Sequence, residues 1–327
     1  MADVSIFSPF SDGDADRDED RAQIILITGL TLAVLFVAVV LLLNTVIYTE
    51  NLATRGADAG GAEAIEFRDG VTEDLAGILH REHRNVSDGD AFTKFNESAK
   101  SYARAVADLR ARDGVIADVH VNRSTLNEGH FIAQNETESG YRNMTSPTGS
   151  ADWTVAGGVN RTRNYRLTVN SSSLSDDPGD AFTIVADGAD ESWSVTLSNS
   201  SADAIDVRVR NATIDPPPKT VSHEGVENVT IDLTAGTVAG QQLPGPVWAG
   251  GVQNRSDPYD VSYENGDNAT GTYSFVVDKR DGSSPLDDSS RPYVTEAVYS
   301  VDVEVYHRTP ELTYGDVIRL APGERDA

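Results

Sequence analysis

The sequence contains no cysteine, which excludes disulfides, thiolate zinc sites and iron–sulfur clusters. Lysine is scarce as well, with four (Lys94, Lys100, Lys219, Lys279) among 26 basic residues. No basic stripe of the kind that binds nucleic acid phosphates is present. Without disulfides, folding depends on a hydrophobic core, and a domain of roughly 200 residues can supply one.

Sequence motifs of catalysis are missing too. The chain has no Gly-x-Ser-x-Gly elbow, no phosphate-binding Gly-Lys-Ser or Gly-Lys-Thr loop and no dinucleotide fingerprint. Spacing cannot identify a pair of carboxylates for glycoside hydrolysis, because any of dozens could meet in space. The sequence therefore predicts a protein that is not an enzyme, with no cofactor and no small-molecule substrate identified.

Two features resemble metal sites in composition only. His80 and His83, in "HREH", share a helical face near Glu73 and Glu82, but they lack the i, i+4 spacing of a zincin. We expect a solvated helix face there. The acidic loops 175–180 ("SDDPGD") and 287–292 ("DDSSRP") do not follow the twelve-residue calcium loop pattern. No metal site is predicted.

Only one long apolar run occurs, "IILITGLTLAVLFVAVVLLLNTVIY", from Ile24 to Tyr48, and it has no charged residue. As a helix it would reach roughly 37 Å, a little more than a hydrocarbon core of about 30 Å. It is apolar all round, whereas a core helix is usually shorter and amphipathic. A cleaved secretory signal fits less well, since residues 44–49 lack a small-residue cleavage site. We predict a transmembrane helix over residues 23–48.

Basic residues and glycosylation sequons predict the orientation. Arg17 and Arg21 precede the helix, and the next basic residue is Arg55. Twelve of the seventeen asparagines begin a sequon, and all twelve lie after the helix: Asn85, Asn96, Asn122, Asn135, Asn143, Asn160, Asn170, Asn199, Asn211, Asn228, Asn254 and Asn268. Random placement of asparagine, serine and threonine at this composition would give only about three sequons. The alternative is that Asn, Ser and Thr are simply common in turns. The sequons favour a cytoplasmic N-terminus and an extracellular C-terminal domain.

Acidity extends along the chain. Residues 1–22 hold seven acids and two bases, and the rest hold 45 acids and 24 bases, a net charge of −21. Of the 52 acids, 34 are aspartate. Such a surface favours solubility at high salt, where screening weakens repulsion between carboxylates.

Periodicity divides the remainder into helical and β-rich parts. Residues 1–22 read as a disordered acidic tail or leader. Residues 49–112 read as a helical stalk, with breaks expected at Gly56, Gly60 and Gly61, followed by an amphipathic helix, "AFTKFNESAKSYARAVADLRAR". Asp90 would cap that helix and Gly114 would end it. Its apolar face would contain Phe92, Phe95, Ala99, Tyr102, Val106 and Leu109.

From residue 113 apolar residues alternate in short runs: "YRLTV", "AFTIV", "SWSVTL", "AIDVRVR", "VTIDL", "TYSFVV" and "AVYSVDVEVY". In the last run, Tyr299, Val301, Val303 and Val305 would share one face, with Ser300 on the other. Seven or more such strands separated by turn-rich spacers predict an antiparallel β-sandwich over 113–327. The fold class expected is α+β: a transmembrane helix and helical stalk followed by a β-sandwich ectodomain.

The segment "DRAQ" (20–23), the apolar helix and the sequon-rich β domain resemble the pilin-like surface proteins of halophilic archaea. So does the closing "VYHRTPELTYGDVIRLAPGE", which is similar to paired terminal strands joined by a Thr-Pro step in uncharacterised proteins of this type. The resemblance implies a class III signal cleaved by a membrane peptidase near Ala22 and Gln23. It also implies partnership with the lipid bilayer and with other pilin-like subunits or a surface-layer protein.

The sequence thus predicts a single-pass, pilin-like surface glycoprotein that acts in assembly or adhesion. Two alternatives remain open at this point. One is a static envelope protein that associates with a surface layer. The other is an anchored hydrolase, which would need a cleft with converging carboxylates.

Overall fold

A computed structural model describes residues 13–84, 91–137, 140–243, 245–252, 257–278 and 292–323. The chain divides into two compact units, residues 1–63 and 64–327. The first contains the apolar run, and the second contains the β-rich domain with the helices that pack on it.

Two α-helices precede the strands. Helix α1 is Gly13–Arg84 and helix α2 is Ala91–Arg112. The expected breaks are wrong, because α1 continues through Gly56, Gly60 and Gly61; an isolated glycine weakens a helix by only about 1 kcal/mol. The prediction of a disordered tail over residues 1–22 is wrong for residues 13–22, which form the first turns of α1, whereas residues 1–12 lie outside the described part. Helix α2 has the predicted bounds.

Fifteen strands and two short 3₁₀ helices make up the described β-rich part. The strands are β1 Ile116–Gln134, β2 Arg142–Asn143, β3 Trp153–Val159, β4 Thr162–Asn170, β5 Phe182–Asp187, β6 Ser192–Ser201, β7 Ala204–Asn211, β8 Lys219–Ser222, β9 Asn228–Asp232, β10 Thr237–Val238, β11 Gln241–Gln242, β12 Tyr259–Glu264, β13 Thr270–Val277, β14 Tyr293–Arg308 and β15 Thr313–Leu320. The 3₁₀ helices are Ser171–Ser173 and Gly266–Asn268.

All strand pairs are antiparallel and form two sheets. The nine-stranded sheet has the order β11-β10-β9-β4-β13-β1-β14-β15, with β2 beside β13. The six-stranded sheet has the order β3-β12-β5-β6-β7-β8. A core of buried residues from both sheets, including stacked Tyr165 and Phe275 with ring centroids 4.4 Å apart, joins them. The predicted α+β class with a sandwich-like β domain is confirmed.

The helical layer covers the β1–β14–β15 part of the larger sheet. Phe67, Val71, Leu75 and Leu79 of α1 recur every four residues and are buried there together with the first half of α2. Residues 64–84 are therefore a packed part of the domain, which corrects the prediction of a stalk. Ile65, which lies off this buried stripe, is 55 % exposed.

The predicted apolar face of α2 is correct over its first half. Phe92, Phe95 and Ala99 are buried, whereas Leu109 is 58 % exposed. A straight helix has 3.6 residues per turn, so a stripe extended by threes and fours rotates away from a flat contact. At that level Arg110 lies over the ring of Phe67 instead, with its guanidinium carbon 5.3 Å from the centroid.

A register shift divides β14. Asn127 of β1 pairs with Ser300, and Glu128 pairs with Val298, so Tyr299 is an extra residue between the two pairs. Such a bulge changes the face on which neighbouring side chains lie. Val301, Val303 and Val305 face the helices as predicted, but Tyr299 belongs to a separate cluster and Ser300 is buried.

Candidate membrane anchor and glycan-bearing surface

Residues Ile24–Ile47 of α1 form a helix that is long and apolar enough to cross a membrane. At about 1.5 Å per residue it measures roughly 36 Å, against a hydrocarbon core of about 30 Å. None of its side chains is buried against protein, so it is not a core helix. A surface so apolar is stable only in contact with lipid or with other apolar helices.

Three hydroxyl groups occur within this apolar helix, and each is satisfied locally. Thr28, Thr31 and Thr45 donate hydrogen bonds to the carbonyl oxygen four residues earlier, at 2.7, 2.7 and 2.9 Å. This matters because an unpaired polar group in hydrocarbon costs several kcal/mol. The proposed processing junction, Ala22 and Gln23, lies just before this region and within α1.

Ten of the twelve sequon asparagines lie in the described residues, and none of the ten is buried. Asn135, Asn143 and Asn228 are exposed, and the other seven are half-buried. Asn85 and Asn254 lie outside the described residues. The distribution over the surface is compatible with glycans at these positions, since a glycan is bulky and needs solvent.

Hydrogen bonding separates these ten asparagines into two equal groups. Five donate through Nδ2 to another group: Asn122 to Glu304 Oε1 (3.3 Å), Asn135 to the Tyr293 hydroxyl (3.1 Å), Asn199 to the Ser171 carbonyl (3.3 Å), Asn211 to the Gly250 carbonyl (3.0 Å) and Asn268 to the Asp180 carbonyl (2.9 Å). Asn96, Asn143, Asn160, Asn170 and Asn228 make no such bond. The sequence gives no sign of this division.

The histidines of "HREH" do not form a solvated face, and that expectation is wrong for His83. The side chain of His83 is buried, and its Nε2 accepts a hydrogen bond from the Val298 N–H at 3.1 Å. Burial, followed by the charge of Arg163 and by His80, lowers the pKa of His83 to about 3. A neutral ring that accepts a backbone proton is a structural group.

Arg163 completes this buried arrangement, although it is not among the site residues predicted from the sequence. Its Nη2 donates to the Val298 carbonyl at 3.0 Å, and its guanidinium carbon lies 4.2 Å from the centre of the Tyr299 ring. The alternation of β4 could have revealed the burial of Arg163, because Arg163 lies on the same face of the strand as the buried residues Tyr165 and Leu167. Arg163 is buried because it bonds the Val298 carbonyl, and the sequence does not show that this carbonyl needs a side-chain donor.

His80 lines a groove of about 560 Å³ with Glu73, Asn164, Arg166 and Asp232. Its Nδ1 lies 3.3 Å from Asn164 Nδ2, and desolvation lowers its pKa, as do the charges of Arg84 and Arg166. This groove resembles the cleft that a hydrolase would need, since two carboxylates line it.

Both oxygens of the Asp232 carboxylate nevertheless accept hydrogen bonds from neighbouring groups of the fold. One oxygen accepts from Arg166 Nε at 2.7 Å, and the other accepts from the Thr234 hydroxyl at 2.9 Å and from the Ala235 N–H at 2.8 Å. A carboxylate with both oxygens engaged by donors is held in place by those hydrogen bonds. It is poorly suited to act as a nucleophile or a general acid.

The acidic loop 175–180 is likewise internally bonded. Asp177 Oδ1 accepts from the Gly179 N–H at 2.8 Å, and the Asp177 N–H donates to the Ser175 hydroxyl at 3.1 Å. These are the bonds of a turn built on aspartate. Loop 287–292 lies outside the described residues apart from Pro292. Within the described residues, no group of three His, Asp or Glu side chains could hold a metal ion.

A sequence profile described as a family of unknown function (DUF7261) matches residues 18–143. The matched stretch contains the apolar run, α2 and β1, and it ends at β2. Neither the curated proteins nor the solved structures contain a match to the chain.

Proposed function

We propose that this protein is a single-pass, externally exposed, pilin-like surface glycoprotein that acts in assembly or adhesion. The observation that carries the proposal is a bare apolar helix, Ile24–Ile47, followed by a β-rich domain whose described sequon asparagines all reach the surface. The helix supplies an anchor in the bilayer, and the β-rich domain supplies the exposed surface.

The orientation follows from charge and sequons together. Arg17 and Arg21 precede the span, which favours a cytoplasmic N-terminus, and every sequon follows it. The acidic surface of the domain would remain soluble in the concentrated salt that surrounds a halophilic archaeon. Partners consistent with this placement are the lipid bilayer, other subunits of the same kind and a surface-layer protein.

Assembly would use the apolar helix as well as the domain. If a prepilin-type peptidase cuts at Ala22 and Gln23, the mature chain begins with the apolar helix, and helices from several subunits could bury one another. An uncleaved chain would instead be a static envelope protein. The hydrolase alternative is the weaker one, because Asp232 in the groove beside His80 has both carboxylate oxygens occupied.

Protease treatment of intact cells tests the placement. With the full chain carrying a C-terminal epitope tag, added protease should remove the epitope and leave a membrane-embedded stub that contains residues 24–47. A cytoplasmic protein in the same cells should stay intact, and lysed cells should lose both. Full protection of the epitope in intact cells would contradict the proposal.

A further inference from the structure

We infer that, among the ten sequon asparagines that the structure describes, Asn143 and Asn228 are the N-glycan acceptors of the folded domain, whereas the five that donate through Nδ2 serve the fold and stay unmodified in it. This inference rests on the proposed placement of the domain outside the cell. It names the modified positions, which the sequons alone do not.

The chemistry of attachment explains why the asparagine amide must be free. A bond forms between Nδ2 and the anomeric carbon of a sugar, and the bond from that carbon to the phosphate of a lipid-linked sugar donor breaks. The phosphate leaves with the electron pair, and Nδ2 loses one proton. The transferase must therefore reach Nδ2, and it must also read the hydroxyl two residues later.

Asn143 meets these requirements. It is exposed in the two-residue strand β2, and its side chain makes no hydrogen bond. The hydroxyl-bearing residue of the sequon, Thr145, is half-buried in the loop that follows β2 and is also free of side-chain bonds. Both parts of the sequon are thus available on the folded surface.

Asn228 meets them as well. It is exposed at the start of β9 and makes no side-chain hydrogen bond, and Thr230 is exposed. The hydroxyl of Thr230 lies 3.1 Å from that of Thr168, but this is a pair at the surface. Asn170, directly opposite Asn228 in the register of β4 and β9, is half-buried, and its Oδ1 accepts from the Ser172 N–H at 2.9 Å.

The remaining two sequons with an unbonded Nδ2 are less accessible. At Asn160 the residue two positions later, Thr162, is buried, and its hydroxyl accepts from the Tyr259 hydroxyl at 2.8 Å. At Asn96 the half-buried Ser98 donates to Glu82 Oε1 at 3.0 Å. In each case the hydroxyl that the transferase must read is engaged in a hydrogen bond of the folded structure.

Asn211 shows why a bonded asparagine is excluded. Its Nδ2 donates to the Gly250 carbonyl, and its Oδ1 accepts from the Thr213 N–H at 3.0 Å and the Ile214 N–H at 2.7 Å. A sugar on Nδ2 would have to enter the contact between β7 and the loop of Gly250. Glycosylation there would break bonds on which the turn after β7 depends.

Site occupancy in the full-length protein from its source organism tests the inference. Peptide mapping by mass spectrometry should find sugar on Asn143 and Asn228 and bare asparagine at positions 122, 135, 199, 211 and 268. Thr145→Ala and Thr230→Ala should each remove one glycan mass. The matched control is Thr213→Ala, whose side-chain hydroxyl makes no hydrogen bond, and it should leave the mass unchanged apart from the substitution.

Asparagine substitutions provide a second readout. Asn228→Gln should remove one glycan mass with little change in melting temperature. Asn211→Gln should leave the glycan mass unchanged and lower the melting temperature by on the order of 5 °C, because three hydrogen bonds are disturbed. A stabilising or neutral Asn211→Gln variant would contradict the structural role.

The outcomes distinguish this inference from the proposed function. A domain that external protease digests but that carries no sugar on Asn143 and Asn228 overturns the inference and leaves the placement intact. Sugar on Asn122, Asn135, Asn199, Asn211 or Asn268 of the folded protein also overturns it. A protected epitope in intact cells, together with an unmodified chain, overturns the placement itself.

Discussion

The Nε2 atom of His83 accepts a hydrogen bond from the Val298 N–H, and the two residues lie 215 positions apart in the chain. Strand β15 pairs with β14 only over Val301–Arg308, so in the part of the chain that the structure describes no strand of this sheet reaches Val298 on that side. His83 accepts a hydrogen bond from the Val298 N–H, and Arg163 donates one to the Val298 carbonyl oxygen. Helix α1 and strand β4 are thereby joined to β14 at one backbone position.

His83 should make the stability of the domain depend on pH. Its pKa is about 3 in the folded protein, below the unfolded value near 6.5, so the unfolded state binds a proton first. The free energy of unfolding should therefore be highest above pH 6.5 and decrease as pH falls from 6.5 towards 3. For this one group the slope approaches about 1.4 kcal/mol per pH unit.

Denaturant unfolding of the domain at several pH values measures that slope. His83→Gln retains an oxygen acceptor for the Val298 N–H but cannot titrate, so its slope should be shallower. His80, whose pKa is also lowered, should retain part of the dependence. An unchanged slope in His83→Gln would show that His83 does not control the acid transition.

Arg163→Met should destabilise the domain by about 2–4 kcal/mol, because it leaves the buried Val298 carbonyl without its donor. Arg166→Met is the matched control on the same strand. The Arg166 side chain is 59 % exposed in its ion pair with Asp232, and its loss should cost no more than about 1 kcal/mol. Chemical denaturation measures both, and equal costs would refute the role given to Arg163.

Gly271 of β13 should not tolerate a side chain. An added Cβ would lie 2.1 Å from the Thr168 carbonyl oxygen and 2.8 Å from Met144 Cε, so Gly271→Ala should cost about 1–3 kcal/mol. At Gly77 in α1, an added Cβ meets no atom within 4 Å, and Gly77→Ala should stabilise the helix by about 0.5–1 kcal/mol. Melting temperatures that move in the same direction for both variants would contradict the packing described.

Salt should stabilise the domain. With 45 acids and 24 bases after residue 22, reducing salt from 1 M to 0.1 M lengthens the Debye length from about 3 Å to about 10 Å and increases carboxylate repulsion. The melting temperature should fall as salt is removed, and an uncharged osmolyte should not restore it fully. A melting temperature independent of salt would mean that the acidic surface is already compensated.

N-terminal sequencing of the native protein tests the processing step. If the junction at Ala22 and Gln23 is cut, the mature chain begins at or next to Gln23 and lacks the acidic segment before it. Replacement of Arg21 by Glu should then cause uncleaved protein to accumulate. A native chain that still contains residues 2–20 would favour the static envelope protein over an assembling subunit.

The local pattern of apolar residues was sufficient to predict the elements that depend mainly on neighbouring residues in the sequence. The apolar run stands out because no charge interrupts it, and α2 was predicted to the residue because its apolar positions recur at helical spacing. Simple alternation identified β5, β6 and β7, where each strand has one buried face. Strand β1 was harder, since polar residues around its register shift hide the alternation.

Tertiary structure decided what the local pattern could not contain. Whether residues 64–84 form a free stalk depends on the sheet on which they pack. In that sheet β1 pairs with β14, and the two strands lie far apart in the sequence. The burial of His83 and Arg163 depends on the place where β15 ends. The twelve sequons are alike in sequence, but an amide such as that of Asn211 becomes engaged only when the chain brings Gly250 beside it, because a hydrogen bond requires proximity in space rather than in sequence.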